Sequence, residues 1–231
     1  MKANMKKTLV SSAVAGALVV GTAGFSTAKA ELSFNIGVFS DYLLDGASDS
    51  GNNAVVQGGV DWEDPSGFYT GLWTSTLGGT VIDDDGEPFA EGQEIDLYLG
   101  YVFEAGDFEF DVGYIYYYYT ERENADFGEI YGYVGWGPVY FGIDYTINAD
   151  ESDDKGNIIY RLGGEYEVMP TISINGEIGY ADPDASDADS TTFWQLGITK
   201  ATDIGDFSLT YGSTNESGSQ DLFVVGYTMT F

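Results

Sequence analysis

The chain has 231 residues, 38 of them Asp or Glu against 8 Lys or Arg, with no His and no Cys. This composition excludes an imidazole general base, a thiolate nucleophile, a His/Cys zinc site and a disulfide framework; a nucleic acid would meet a strongly anionic surface. With 43% hydrophobic and 16% aromatic residues the chain is too apolar for a solvated coil, and its length suits one all-β domain of roughly 200 residues.

Residues 1–30 read as a cleavable secretory signal. Lys2, Lys6 and Lys7 form a basic start, and Ala28-Lys29-Ala30 is an A-x-A cleavage site. The apolar stretch from Leu9 to Val20 between them falls short of the ~20 residues that a membrane span needs. Half of the basic residues leave with this segment, so the mature chain, 31–231, sets four bases against 38 acids, a net charge of −34.

From Leu32 onward the pattern has period two. Twelve strands are predicted, at 32–43, 53–63, 66–77, 93–104, 107–119, 126–136, 138–148, 157–168, 170–181, 191–201, 204–213 and 220–231. Each has an apolar face and a face of carboxylates, amides and glycines. In 93–104, for example, Ile95, Leu97, Leu99, Tyr101 and Phe103 oppose Glu94, Asp96, Tyr98 and Gly100. The connections alternate between long polar loops (45–52, 78–92, 120–126, 149–156, 182–190, 214–219) and tight turns at Asp64-Pro65, Ala105-Gly106, Gly137-Pro138, Met169-Pro170 and Thr202-Asp203. An even strand count with long/short alternation predicts a transmembrane antiparallel up-and-down β-barrel of about twelve strands, with both termini on the periplasmic, short-turn side.

In such a barrel the apolar face meets lipid and the polar face lines a lumen. Trp62, Trp73, Tyr116, Tyr118, Trp136 and Trp194, near strand ends, are expected in interfacial girdles. The last strand carries Phe223, Val225, Tyr227, Met229 and Phe231 on one face. An amphipathic strand ending in an aromatic residue resembles the signal read by the barrel-assembly machinery of bacterial outer membranes.

Near its start the mature chain reads Ser40-Asp41-Tyr42, Gly46-Ala47-Ser48 and Val56-Gln57-Gly58-Gly59-Val60-Asp61-Trp62. It continues with Ser66-Gly67-Phe68-Tyr69-Thr70-Gly71-Leu72-Trp73 and Glu94-Ile95-Asp96-Leu97-Tyr98-Leu99-Gly100-Tyr101. This order and spacing resembles the TorF-type porin family of proteobacteria, whose members carry a signal peptide and an S-D-Y-x-x-x-G-x-S element. The likeness spans the mature chain in layout and about its first third in motifs. It implies an outer-membrane barrel with a pore role.

By parity the lumen receives Asp41, Asp61, Asp96, Glu109, Asp111, Glu129, Asp144, Glu165 and Glu177, with Arg161 as its one clear base. Unpaired ionised carboxylates in a dry interior would cost several kcal/mol each. The lumen is therefore hydrated, or it holds cations, or many acids are protonated; hydration is the simplest. Eight strands leave an interior filled by side chains and sixteen leave a channel, so strand number does not decide patency, while the charge favours an open, cation-preferring pore for small hydrophilic solutes. The alternative is a closed or plugged barrel serving as a surface scaffold or adhesin. Tyr98, Tyr117 and Tyr140 would either form a stacking track for sugars or fill space beside glycines, and the second reading is favoured.

Three loops are dense in acid, and Asp83, Asp85, Asp153, Asp154, Asp184 and Asp187 are weak candidates for holding a hard divalent cation or bridging to lipopolysaccharide phosphates. None has EF-hand spacing, and solvated acidic loops are the plainer reading. No cofactor is expected. The nucleophile chemistry of lipid-modifying barrels needs a histidine that this chain lacks, so no enzymatic role is expected.

Overall fold

A computed structural model describes residues 30–78, 80–82, 88–90, 92–121, 124–150, 155–185 and 188–231. The candidate signal segment, and Asp83, Asp85, Asp153, Asp154 and Asp187, lie outside the described residues.

Twelve antiparallel strands close into one barrel: β1 (Glu31–Phe39), β4 (Val55–Glu63), β5 (Phe68–Thr76), β8 (Gln93–Ala105), β9 (Phe108–Tyr119), β10 (Phe127–Trp136), β11 (Val139–Ala149), β12 (Ile158–Met169), β13 (Ile172–Asp182), β14 (Thr191–Thr202), β15 (Gly205–Thr214) and β16 (Leu222–Thr230). Each matches one predicted strand within a few residues. Two small hairpins, β2 (Leu43–Leu44) with β3 (Ala47–Ser48) and β6 (Thr80–Ile82) with β7 (Pro88–Ala90), stand apart in long connections. The first strand ends at Phe39, so 40–43, expected to extend it, belongs to the loop.

The ring closes where β1 pairs with β16, Val38 opposite Tyr227 and Ile36 opposite Met229. Phe231 extends the seam through two backbone bonds with Phe34, of 3.1 and 2.8 Å. With no open edge, every strand's ladder is satisfied within the sheet, which a bilayer interior demands.

The period-two pattern decides which way each side chain faces. Outside lie Phe34, Leu97, Phe141, Leu162, Ile178, Leu196 (62% exposed) and Val225, forming an apolar surface around the whole barrel. A soluble monomer does not carry a continuous patch of that size, so lipid is the solvent that fits it. Among the described strand residues, register places only Lys200 and Asp182 as outward charges, both toward strand ends. On the turn side an aromatic belt includes Trp62 against Phe68 (6.0 Å) and Phe103 stacked on Phe110 (5.1 Å), and Trp136 is exposed nearby. Trp194 and Tyr118, toward the long-loop ends, also face out. Trp73 does not: it is buried and points inward, because it shares the parity of Ser75 and Gly71 rather than of Leu72.

The glycines have a structural reason here. Six lumen aromatics sit directly across a ladder from a glycine: Tyr98 from Gly71, Tyr69 from Gly100, Tyr131 from Gly113, Tyr133 from Gly142, Tyr140 from Gly163 and Phe193 from Gly179. In each pair a Cβ on the glycine would collide with the ring. The rings therefore lie along the wall, over bare backbone, instead of standing out toward the barrel axis.

Candidate functional site: the barrel lumen

The inward positions are built by the same alternation that makes the outer face apolar. From β4 to β13 a hydroxyl–carboxylate ladder runs along the wall. Tyr98 bonds Asp61. Tyr69 donates to Asp111 at 2.7 Å and meets the Tyr131 hydroxyl at 2.5 Å. Tyr133 donates to Asp144 at 2.7 Å, Tyr140 to Glu177 at 2.5 Å and Tyr117 to Glu129 at 3.3 Å. Thr146 adds a second donor to Glu129, at 3.1 Å. Each neutral hydroxyl replaces water at a carboxylate that would otherwise be stranded. Tyr117, Tyr131, Tyr133 and Tyr140 are buried, so their faces are taken up in packing. Of the two readings for Tyr98, Tyr117 and Tyr140, space-filling over glycine describes Tyr98 and Tyr140, while Tyr117 stacks on Phe127 at 4.3 Å.

Arg161 is the hub of the long-loop half. Its Nε donates to Asp144 at 2.6 Å, and Nη1 donates to Asp45 at 2.6 Å and to Glu177 at 3.2 Å. Nη2 reaches the other Asp45 oxygen at 3.2 Å. The guanidinium also lies 5.2 Å from the centre of the Phe193 ring, a cation–π contact. Three carboxylates around one guanidinium leave this cluster net negative.

The candidate pore acids divide by environment. Asp144, Glu177 and Arg161 come together in this hub. Asp61, Asp111 and Glu129 are tied to tyrosines. Asp96 is fully buried on β8, where its carboxyl interacts with that of Glu94, also fully buried. Glu109, opposite Glu104 near the turns, and Glu165, opposite Asn175, are half-buried. Asp41 is inside the barrel but not on a strand: it is buried in the first long connection and accepts bonds from Ser48 (2.6 Å) and Ser50 (2.8 Å). Its part is to hold that loop's shape.

Sequence parity does not reach Asp45, because it falls in the predicted long loop 45–52 and not on a strand. The signal was present: Asp45-Gly46 between Leu43-Leu44 and Ala47-Ser48 is a two-residue hairpin turn. Both turn residues take positive φ, 46° and 79°, as a type I′ turn requires. Tyr42, just before the hairpin, is fully buried and packs on Trp73 at 5.6 Å between ring centres. Burial, with Glu94 and Asp96 nearby, pushes its hydroxyl well above the usual tyrosine range.

Among the described residues no group of three or more acids is arranged to hold a metal ion. Asp184 lies in an exposed turn, where its backbone N–H donates to Asn157 at 2.9 Å.

The fold has solved counterparts. A structure titled "KdgM porin" aligns over 86% of this chain and 99% of its own with a TM-score of 0.58 at 10% identity. A structure of the NanC porin aligns over 87% and 98%, with a TM-score of 0.51 at 11% identity. At such identities the likeness is one of architecture: a barrel of similar size and closure. No curated protein matches the chain. These neighbours share the barrel that the resemblance to TorF-type porins implies and do not bear on that family itself, and the family model that matches carries another description. Residues 23–227 match it, and the chain belongs to that family, described as "Bacterial protein of unknown function (Gcw_chp)".

Proposed function

We propose that the mature chain is an outer-membrane diffusion channel that prefers cations and passes small hydrophilic solutes. One observation carries this reading. The inward strand positions bear many carboxylates, with Asp61, Glu109, Glu165 and Glu177 only partly covered and Asp96, Asp111, Glu129 and Asp144 buried behind them, and among the described strand residues Arg161 is the one inward base, already outnumbered by its partners. A ring of acids draws cations into a pore and repels anions. The apolar exterior with its aromatic belts supports an outer-membrane address, reached through export by the signal at 1–30 and insertion guided by the strand that ends at Phe231. The long acidic loops would then face outward, toward lipopolysaccharide.

The test is planar-bilayer recording of the refolded protein across a KCl gradient. The expected result is discrete channel events with a reversal potential on the cation side. A reversal potential at zero or on the anion side would overturn the selectivity, and silence would overturn the channel.

A second reading has its own support. The hairpin of β2 and β3 lies inside the barrel mouth, as a plug would, and this favours a closed barrel acting as a surface scaffold. Deleting 78–92 and 149–156 separates the two: adhesion to a partner surface would vanish while conductance would persist.

A further inference from the structure

The connection 40–54 leaves β1, reaches across the lumen so that its tip meets the far wall, and returns to β4, the ladder neighbour of β1. Ser40 fastens its root to β16, donating to the Val225 carbonyl at 2.9 Å and accepting from the Val225 N–H at 3.0 Å. The chain then turns inward. Tyr42 is seated against Trp73 of β5, Leu43 rests on Gly212 of β15, and Asp45 reaches Arg161 of β12. In the ring of twelve strands β12 is five places from β1, so the tip touches a wall almost opposite its root. The barrel is roughly 20 Å across by strand spacing and tilt, and one extended hairpin obstructs much of that width.

The tip fits its seat closely. A Cβ on Gly46 would strike the Ser213 carbonyl of β15, so only glycine lets the turn dock there. The ionic anchor is also separable from the wall. Without Asp45, Arg161 still holds Asp144 at 2.6 Å and Glu177 at 3.2 Å, so losing Asp45 orphans no charge. Asp41, bonded by Ser48 and Ser50, keeps the loop folded on itself. The loop thus carries its own internal bonds and one charged tether.

We propose that the hairpin 43–48 is the channel's internal constriction, and that Asp45 is the positioning residue that pins it across the lumen through Arg161. The proposal rests on the diffusion-channel reading and names what sets its bore. Opening the latch widens the passage, while the acidic walls keep the selectivity.

Two kinds of variant test it. Asp45→Gly removes the tether yet suits the positive φ at that position, and Asp45→Asn keeps a neutral acceptor with the same backbone freedom. A Cβ at 212 lies 3.1 Å from Leu43 Cγ, the place of a sulfur in Leu43→Cys, so Leu43→Cys with Gly212→Cys can form a disulfide that reports the seated hairpin. The chain has no cysteine of its own, so the bridge is unambiguous.

The expected results are these. The bridge forms in the Asp45 background and forms several-fold more slowly with Asp45→Gly. Single-channel conductance rises about twofold or more in Asp45→Gly, less in Asp45→Asn, with the reversal potential still on the cation side. Oxidising the bridge in the Asp45→Gly background returns conductance to the parent value. Equal bridging rates with and without Asp45 would overturn the latch, and unchanged conductance after unlatching would overturn the constriction. Silence in every variant, with the bridging difference intact, would instead overturn the channel reading and leave the latch standing.

Discussion

From β5 through β11 the inward positions carry a group of tyrosines, of which Tyr69, Tyr98, Tyr131, Tyr133 and Tyr140 lie over glycines, and the hydroxyls of these five and of Tyr117 each meet a carboxylate or another hydroxyl. From the lower part of β13 through β16 to β1 they include Ser173, Asn175, Thr199, Ser208, Thr210, Thr228 and Asn35, short and only partly covered, beside the buried Gly197, Val224 and Gly226. One half is finished like a protein core and the other like a wetted surface. The difference teaches where water and solute run. A wall of short hydroxyl and amide groups leaves room and hydration, whereas the tyrosine wall is closed by its own hydrogen bonds. The same sheet thereby keeps its acids in two settings, buried and for the most part bonded to tyrosine hydroxyls on one side, facing the lumen on the other.

The largest effect that can break this contrast is steric. In Gly142→Ala the new Cβ would land inside the Tyr133 ring, which cannot retreat because its hydroxyl is tied to Asp144. Loss of about 2–3 kcal/mol, or failure to refold, is expected, by urea titration followed as the gel shift of the folded barrel. Gly197→Ala on the sparse wall meets first the Asn175 side-chain amide, which can swing aside, and should cost about 0.5 kcal/mol or less. Equal losses would mean that both halves are packed alike.

Next in size is the hydrogen-bond ladder. Tyr133→Phe keeps the ring over Gly142 and removes the 2.7 Å donor to Asp144, leaving that buried carboxylate with Arg161 alone. A loss of about 1–2 kcal/mol in the same titration is expected. An unchanged midpoint would show that water replaces the hydroxyl, and hence that the tyrosine wall is wetter than its burial implies.

Conduction sharpens the contrast from the other side. Ser208→Trp places an indole on the sparse wall and should lower single-channel conductance by about half, whereas Tyr131→Phe, within the closed wall, should leave it unchanged. If the order reverses, the passage runs along the tyrosines.

Much of this barrel was legible in the chain because the period of a strand is two and lipid tolerates no ambiguity about which face is apolar. Isoleucines and leucines at 95, 97 and 99, with Glu94, Asp96 and Tyr98 between them, can be placed only one way. The failures come where burial is decided by a partner and not by the period. A position near a strand end points Trp73 to the girdle, but Gly71 and Ser75 share its side of the sheet and Tyr42 lies inside to cover it. Asp45 reads as a loop charge because its partner, Arg161, lies 116 residues away in sequence. Parity tells which acids face inward, but it does not tell that Asp111 is quenched by Tyr69 while Glu165 faces an open wall, since that depends on which neighbours cross the ladder.

The smallest expected effect follows from that last difference. A charge steers ions only through the water that reaches it, over a screening length of about 10 Å at 0.1 M salt. Glu165 is half-buried opposite Asn175 on the open side, so Glu165→Gln removes one fixed negative charge from the wetted passage. Cation preference should fall, moving the reversal potential toward zero by about a few millivolts, with conductance scarcely altered. Asp111→Asn removes the same formal charge from a buried site bonded to Tyr69 at 2.7 Å, and the reversal potential should stay where it was. If both substitutions move it equally, the field in the lumen is indifferent to which wall holds the charge, and the division into a closed and an open half loses its functional meaning even if it survives as a fact of packing.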